Sequence, residues 1–467
     1  MLKILKPFVL IVFSVIFFLM FTSTFHQIEE KLITLKILKF LLSIFLALGI
    51  SFFLFKRKLI NKNLIFLLLS GLLIALFVRL RLILTIEAPL KSDFVMMFNT
   101  ANDWLSGNRE AFHKSYYNFA VFNIPFTIYL AFFIKYLGGL LSIKVMNVLW
   151  SVGIVFFIYK ITKKLFNPQA AIIALFVAAL FPPFVVYTAI LTNQTISIFF
   201  IMMGLYFLIC KKQLIYCALF IGLGHIFRPI GTVFILAILA YFIIHFLNHR
   251  KIFTKNNIKV LLVSSLKIMI PFHLIMIVIS GLFLFFNITK NTLYDNPAPS
   301  YKLLVGLNPE RTGQWNKNDA DLLKQNNFLD FERLAKQKIT ERTDKKLEVL
   351  NLFEEKFKLM WGKPDEVFFW ANYNSSSKKA ITNYFWLTIL FFCFCFTISK
   401  KPFALGTNTL LIFIALLGFV TAYIFIEVQT RYRYEIYPLF VIFSGPGVVI
   451  IVNYIKNKLA FDNNQIN

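Results

Sequence analysis

Residues 121–137 read VFNIPFTIYLAFFIKYL, and the side of the membrane assigned to everything after them depends on whether this run crosses. The run is apolar but short. It contains Pro125 and Lys135 and ends at Gly138-Gly139. Charge separates the two readings. If the run does not cross, Lys3, Lys6, Lys56, Arg57, Lys58, Lys62, Lys160, Lys163 and Lys164 fall on the inner side. So do Lys211, Lys212, Arg250, Lys251, Lys255, Lys259, Lys400, Lys401, Lys456 and Lys458, with no acid among them. If it crosses, every one of these from Lys160 onward moves outside, against the tendency of Lys and Arg to stay cytoplasmic. The run therefore reads as an interfacial helix.

The surrounding composition is that of a membrane protein. Of 467 residues, 58% are hydrophobic, 18% aromatic and 15% charged, and 58 are Phe. Soluble domains carry about 25% charged residues, and mean hydropathy here is +0.72. A water-soluble globule, a disordered chain, a disulfide scaffold and a fibrous repeat are excluded. Apolar runs approach the ~20 residues that span a bilayer as helix. They are continuous, whereas barrel strands alternate in segments of about ten. The expected fold is an all-α polytopic membrane protein with about 12 transmembrane helices and both termini cytoplasmic. The spans are 7–24, 37–55, 64–86, 143–160, 168–184, 194–210, 213–229, 231–247, 259–285, 381–399, 403–425 and 437–455. Residues 7–22 read as an uncleaved first helix, since no small-residue cleavage site follows.

Three parts follow from this pattern. Residues 1–286 form a transmembrane core with an outer interfacial loop at 87–139. Residues 287–380 form a small, mostly helical extracytoplasmic domain, and 381–467 the last transmembrane helices. Thirteen of the 22 acids lie in 287–380, and all the others except Asp462 also fall outside in this topology. The outer face is thus where both charge signs meet. The net charge of +27 suits orientation and an anionic partner such as phospholipid or a phosphate-bearing substrate. No compact basic domain exists to hold nucleic acid. Cys210, Cys217, Cys393 and Cys395 lie in or beside apolar runs and make no metal set or disulfide framework.

Within the first outer loop, Ser92 is placed as an N-cap and Gly107 as a stop. Between them Phe94, Met97, Phe98, Ala101, Trp104 and Leu105 recur at helical spacing, which predicts an amphipathic helix on the membrane surface. Asp93, Thr100 and Asp103 fall on its polar side. Asp93 opens this helix just after a span, where a carboxylate can act as a general base or stabilise the helix N-terminus. Asp103 is a candidate acceptor contact. Arg228, in HIFRPIG, is an ionisable group at a helix end near membrane depth, with His225 one turn before it. Glu427, Arg431, Tyr432, Arg433 and Glu435 crowd the start of the last span. Arg forks fit phosphate oxygens, and the same residues could instead form an aromatic belt with mutual ion pairs. No Gly-rich phosphate loop, zinc pattern or nucleophile elbow is present.

These stretches together resemble a family. SDFVMMFNTANDWLSGN (92–108) is similar to the "S-D-x-x-x-Y-x-x-A-x-x-L-x-x-G" opening of GT-C integral membrane glycosyltransferases, in the bacterial branch related to protein O-mannosyltransferases. NIPFTIYLAFFIKYLGG (123–139) resembles the interfacial helix of that branch, and ALFPPFVVYTAILTNQT (179–195) its F-P hairpin. GLGHIFRPIG (222–231) resembles its R-P helix end, and RYRYEIYPLFVI (431–442) its late R-Y helix. Asn193-Gln194 stands where an acid is common, and the first two spans look like an added hairpin. The resemblance implies inverting transfer of a sugar from a polyprenyl-phosphate-linked donor to a cell-surface glycan or glycolipid acceptor. The reaction would lie on the extracytoplasmic face of a bacterial plasma membrane. It implies Asp93 as catalytic aspartate and Arg228, Arg431 and Arg433 toward the lipid phosphate; Asp103, Glu427 and Tyr432 are the remaining candidate substrate contacts. No cofactor is expected; a divalent metal would need a ligand set that the sequence does not display. The competing readings are a ligase moving a whole lipid-linked glycan or teichoic chain, and a flippase, which should show repeats and charged broken helices at the midplane.

Overall fold

The computed structural model describes residues 2–28, 32–56, 63–248, 255–373, 375–399 and 406–466. Among the described residues every regular element is helical. Glu29, Glu30, Arg57, Lys58, Lys62, Arg250, Lys251, Lys400 and Lys401, which enter the charge argument, lie outside them.

Each expected span coincides with a helix. These are α1 (Leu2–Gln27), α2 (Ile33–Lys56) and α3 (Leu64–Thr85) before the first large loop. That loop holds α4 (Asp93–Leu105) and α5 (Ile124–Tyr136). Then come α6 (Leu140–Leu165), α7 (Pro168–Leu180), α8 (Gln194–Tyr206), α9 (Leu214–Phe227), α10 (Gly231–Leu247) and α11 (Lys255–Phe285). The second large loop contains α12 (Tyr301–Gly306), α13 (Lys317–Gln325), α14 (Phe328–Thr343) and α15 (Lys346–Gly362), and the chain closes with α16 (Ser376–Ser399), α17 (Thr407–Phe425) and α18 (Tyr437–Ile466). Among the described residues nine helices are long and apolar enough to cross a membrane, and the chain is a multi-pass membrane protein. Helices α9 and α10 are shorter. The apolar stretch Val121–Tyr136 reaches about 24 Å at 1.5 Å per residue, short of a ~30 Å hydrocarbon core, and α5 packs along α4.

The fifth expected span, 168–184, is broken. Pro168–Leu180 and Pro182–Ala189 meet at 55°. Pro182 and Pro183 have no amide hydrogen, so the carbonyls of Ala178 and Ala179 lose their helical donors. The buried Arg79 of α3 supplies replacements. Its Nη1 donates to Ala179 O at 2.9 Å and its Nη2 to Ala178 O at 3.1 Å. Its Nε donates to Ser151 Oγ of α6 at 2.8 Å. One guanidinium therefore joins α3, α6 and the break in α7, and each of its three nitrogens has found an oxygen inside the protein, as membrane depth demands.

The second large loop has its own apolar cluster of Ala298, Tyr301, Leu304, Val305, Phe331 and Ala335. It is also clamped to the helical core. α15 packs along α1, and Trp361 at its end belongs to the main core. Gly306 comes so close to α17 that an added Cβ would lie 2.1 Å from Phe425 O. The buried Lys356 donates to Gly306 O at 2.5 Å and Ile426 O at 3.0 Å. Burial lowers its pKa to about 7.

Candidate functional site

Five segments far apart in sequence meet at one end of the bundle: the start of α4, the end of α9, the start of α12, the turn 365–370, and the turn 427–435 before α18. The last is the organiser. Glu427 is buried, and its carboxylate pairs with the Lys302 ammonium. Gln429 Nε2 donates to it at 2.6 Å. Burial works against the Glu427 charge, yet Lys302 holds its pKa below the ordinary value. Glu435, also buried, forms an ion pair with Arg228 at the end of α9. Tyr423 OH donates to Glu435 at 3.2 Å and Gln194 Nε2 at 3.4 Å. The two glutamates therefore take partners from other segments, not from the arginines beside them in sequence.

Arg431 is left in the middle. Its guanidinium carbon stands 4.5 Å from the Trp370 ring, 5.9 Å from Phe94 and 5.9 Å from Tyr432. Its Nε donates to Gln429 Oε1, and neither Nη makes a hydrogen bond among the described residues. Its backbone is fixed from behind: the Arg431 carbonyl accepts from Tyr187 OH at 2.9 Å and from Gln194 Nε2 at 3.1 Å. The Arg228 guanidinium carbon lies 5.2 Å from the Tyr432 ring. Two guanidinium groups thus share one tyrosine ring. Such forks on aromatic faces are preorganised for an oxyanion.

Helix α4 enters through Phe94, whose ring meets Trp370 edge-on at 5.8 Å. Asp93, one residue earlier, is exposed and makes no hydrogen bond or ion pair among the described residues. Ser92 before it has φ 51° and ψ −131°, a backbone region that favours glycine. The Ser92 hydroxyl does not cap the helix, contrary to its expected role, because that backbone turns it away from the standard N-cap conformation. Lys91 pins the opposite strand of the site: its Nζ donates to Phe369 O at 2.5 Å and lies 4.1 Å from the Phe369 ring. Gly107, at φ 97°, ends the helix as expected.

The other residues expected from sequence divide. The apolar stripe of α4 is packed on protein rather than laid on lipid: Phe94, Met97 and Ala101 join Phe126, Leu130, Ile143, Leu191 and Ile196. Thr100, placed on the polar side, is buried. Asp103 pairs with Lys114 at 2.7 Å and lies ten residues from Asp93, about 15 Å along the helix. Arg433 is buried and spends its guanidinium on the carbonyls of Thr430 at 3.2 Å, Trp361 at 3.2 Å and Lys363 at 2.8 Å. It braces the turn and does not share the space between Arg228 and Arg431. His225 is mostly enclosed against Phe272, with ring centroids 5.2 Å apart.

Sequence reading did not single out Lys302, Asp365, Glu366 or Trp370. Asp365 is buried and accepts from Tyr437 OH at 2.7 Å and Val367 N at 2.8 Å. Burial raises its pKa, opposed by Arg433. Glu366 is tied to the neighbouring turn by its own N–H, which donates to Thr430 Oγ1 at 3.0 Å. Burial raises its pKa too, opposed by Arg431. In a loop holding thirteen acids, only their tertiary placement distinguishes these two. Among the described residues no group of three or more His, Cys, Asp or Glu side chains is arranged to hold a metal ion.

Fold and site together define a polytopic helical membrane protein with an arginine-rich polar centre at one end of the bundle. Residues 122–275 match the family model described as dolichyl-phosphate-mannose-protein mannosyltransferase. The matched region carries α5 through most of α11, including Gln194 and Arg228. No curated protein matches the chain.

Proposed function

We propose that the protein transfers a sugar from a polyprenyl-phosphate-linked donor to a hydroxyl of a cell-surface glycan or glycolipid, on the extracytoplasmic face of a bacterial membrane. The observation that carries this reading is the meeting of Arg431 with Phe94 and Trp370. It sets a guanidinium with free Nη groups beside the residue that follows the exposed Asp93. A cation for the leaving phosphate and a carboxylate for the entering hydroxyl are the two charges that such a transfer requires.

In the proposed step, the acceptor oxygen bonds to the anomeric carbon from the face opposite the phosphate. The bond from that carbon to the phosphate oxygen breaks, and its electrons leave with the polyprenyl phosphate. Asp93 takes the hydroxyl proton, and the configuration inverts. Negative charge grows on the bridging oxygen, so preorganised cations there lower the barrier. Arg431 is assigned this contact, with Arg228 beside it and Glu427–Lys302 fixing the turn. Tyr432 is the ring both guanidinium groups share. Asp103 is kept as an acceptor contact farther along α4.

The test is sugar transfer by the purified full chain, supplied with polyprenyl-phosphate hexoses and membrane glycolipid extract. Product carrying one sugar supports the proposal. Product carrying a whole preassembled chain would favour the ligase reading, and donor movement across vesicles without product would favour a flippase.

A further inference from the structure

The hairpin α1–α2 contributes nothing to the centre just described, yet α2 does not simply lie against the bundle. Between α2, α7, α16 and α18 it leaves a cavity of about 490 Å³. Lys39, Ser43, Ala47 and Ser51 of α2 line it at a spacing of four, so they form one row along the helix. Three of these four are small, and the groove runs beneath them. Phe176, Leu180 and Phe385 are among the residues forming the facing walls.

The lining determines what can fill the groove. Its serine and threonine hydroxyls are already satisfied. Ser43 Oγ and Thr388 Oγ1 bond each other at 2.6 Å. Ser51 Oγ donates to Ala47 O at 2.8 Å and Ser444 Oγ to Val441 O at 2.9 Å. With these four hydroxyls engaged and most of the remaining lining aliphatic or aromatic, hydrocarbon fits better than water. Its volume falls within the ~300–1,000 Å³ of sites that enclose one small ligand. Leu42, Leu46, Ile50 and Leu180 at its rim are 47–63% exposed, so it opens sideways into the bilayer. From Lys39 to Ser51 the row is about 18 Å long at 1.5 Å per residue. One leaflet of a ~30 Å hydrocarbon core is about 15 Å deep.

Among the described residues Lys39 is the one charged residue in the lining, and it stands at the end nearer the candidate centre. The hairpin's turn is tied there, since Thr24 Oγ1 donates to the Trp361 carbonyl that Arg433 also holds. We infer that the groove binds one chain of an anionic phospholipid from the leaflet on the site's side, with the lipid phosphate at Lys39. The hairpin is then a lipid clamp, and this holds whether or not the protein transfers sugars. The groove's four helices carry none of Asp93, Arg228 or Arg431, so its occupant is distinct from any donor.

The experiment is native mass spectrometry of the delipidated full chain, titrated with phosphatidylglycerol or phosphatidylcholine of identical chains. The variants are Lys39→Gln, Ala47→Phe and the rim variant Leu180→Trp, all checked for wild-type melting. Wild type should retain one phosphatidylglycerol about fivefold more tightly than phosphatidylcholine, the effect of one lysine at a lipid surface. Lys39→Gln should lose the preference and keep the lipid. Ala47→Phe, or Leu180→Trp if the first is unstable, should lose the bound lipid. Equal retention of both lipids by wild type overturns the headgroup assignment. Undiminished binding in a folded blocking variant overturns the groove.

Discussion

The guanidinium of Arg431 lies 4.5 Å from the ring of Trp370, joining the turn before the last helix to the end of the second large loop. The stack has a consequence for substitution. Arg431→Ala removes both the cation and the partner of the ring, whereas Arg431→Lys keeps a charge without the planar fork. Loss of one charge-assisted bond costs about 1.5–3 kcal/mol, so Arg431→Ala should reduce use of the donor roughly ten- to hundred-fold. The lysine variant should recover part of it, and Trp370→Ala should raise the donor KM more than it lowers kcat. Steady-state kinetics over donor concentration checks all three. An alanine variant with unchanged donor kinetics removes Arg431 from the phosphate.

Arg228 answers differently because Glu435 is buried against it. Arg228→Ala leaves a buried carboxylate without its cation, at a cost of about 3–5 kcal/mol. Its loss of activity will therefore be accompanied by a lower melting temperature. Arg228→Ala combined with Glu435→Gln should recover stability and not donor use. If the double variant recovers both, Arg228 is structural.

Arg79 offers a test of the fold without the chemistry. It supplies donors to two carbonyls that Pro182 and Pro183 leave bare. Each unsatisfied carbonyl costs about 1–3 kcal/mol, partly offset because a cation is no longer buried. Arg79→Met should destabilise the protein by on the order of 3 kcal/mol, read as a fall in melting temperature in detergent. Arg79→Lys reaches fewer acceptors and should recover only part.

Much of this arrangement was legible in the chain. Apolar runs marked a helix at each of the twelve expected spans, and among the described residues nine of these helices are long and apolar enough to cross a bilayer, because a bilayer demands a continuous stretch for each. The stripe from Phe94 to Leu105 gave α4 to within a residue or two, because 3.6-residue periodicity is local information. Its burial was not legible: amphipathicity says that one face seeks an apolar neighbour, and either lipid or α5 satisfies it. The pairing of charges was hidden for the same reason. Glu427 and Arg431 are four apart, yet Glu427 pairs with Lys302, 125 residues away. Arg433 reads like Arg431 in sequence. Only packing shows that one donates to carbonyls while the other keeps its Nη groups free.

Lys356 makes a pH prediction. Its pKa falls to about 7 through burial, against an ordinary 10.5 in the unfolded chain. A depressed pKa contributes stability that is present above 10.5 and lost as pH falls through about 7. Attachment of the outer domain should therefore strengthen as pH rises from about 7 toward 10. Hydrogen exchange of residues 301–313 at pH 6.5 and 9.5 measures it. Lys356→Met should flatten the dependence and, because Gly306 O and Ile426 O lose their donor, raise exchange at both values. An unchanged pH slope in Lys356→Met would assign it to another group.

Asp93 carries the most specific prediction. A capping carboxylate would hydrogen-bond the first N–H groups of α4, and Asp93 makes no such bond among the described residues. Its structural contribution reduces to the helix dipole, about 0.3–1 kcal/mol at an exposed position. Asp93→Asn should thus fold, insert and melt within a few degrees of wild type. As proposed base it cannot be replaced by an amide, so transfer should fall by about 10² to 10⁴. Asp103→Asn, paired with Lys114 about 15 Å away along the helix, should lower transfer far less. Ser92→Gly separates aim from charge. Glycine relieves a strained φ worth about 1–3 kcal/mol and loses roughly 0.5–1 kcal/mol of backbone entropy, so stability should hold or rise. If the Ser92 turn aims the carboxylate, that variant should lose turnover with donor KM unchanged, because Asp93 remains charged but is less well held. Single-turnover transfer by matched, folded variants reads both effects. Near wild-type turnover in Asp93→Asn would leave this residue a dipole partner of α4 and move the search for the base to Glu366.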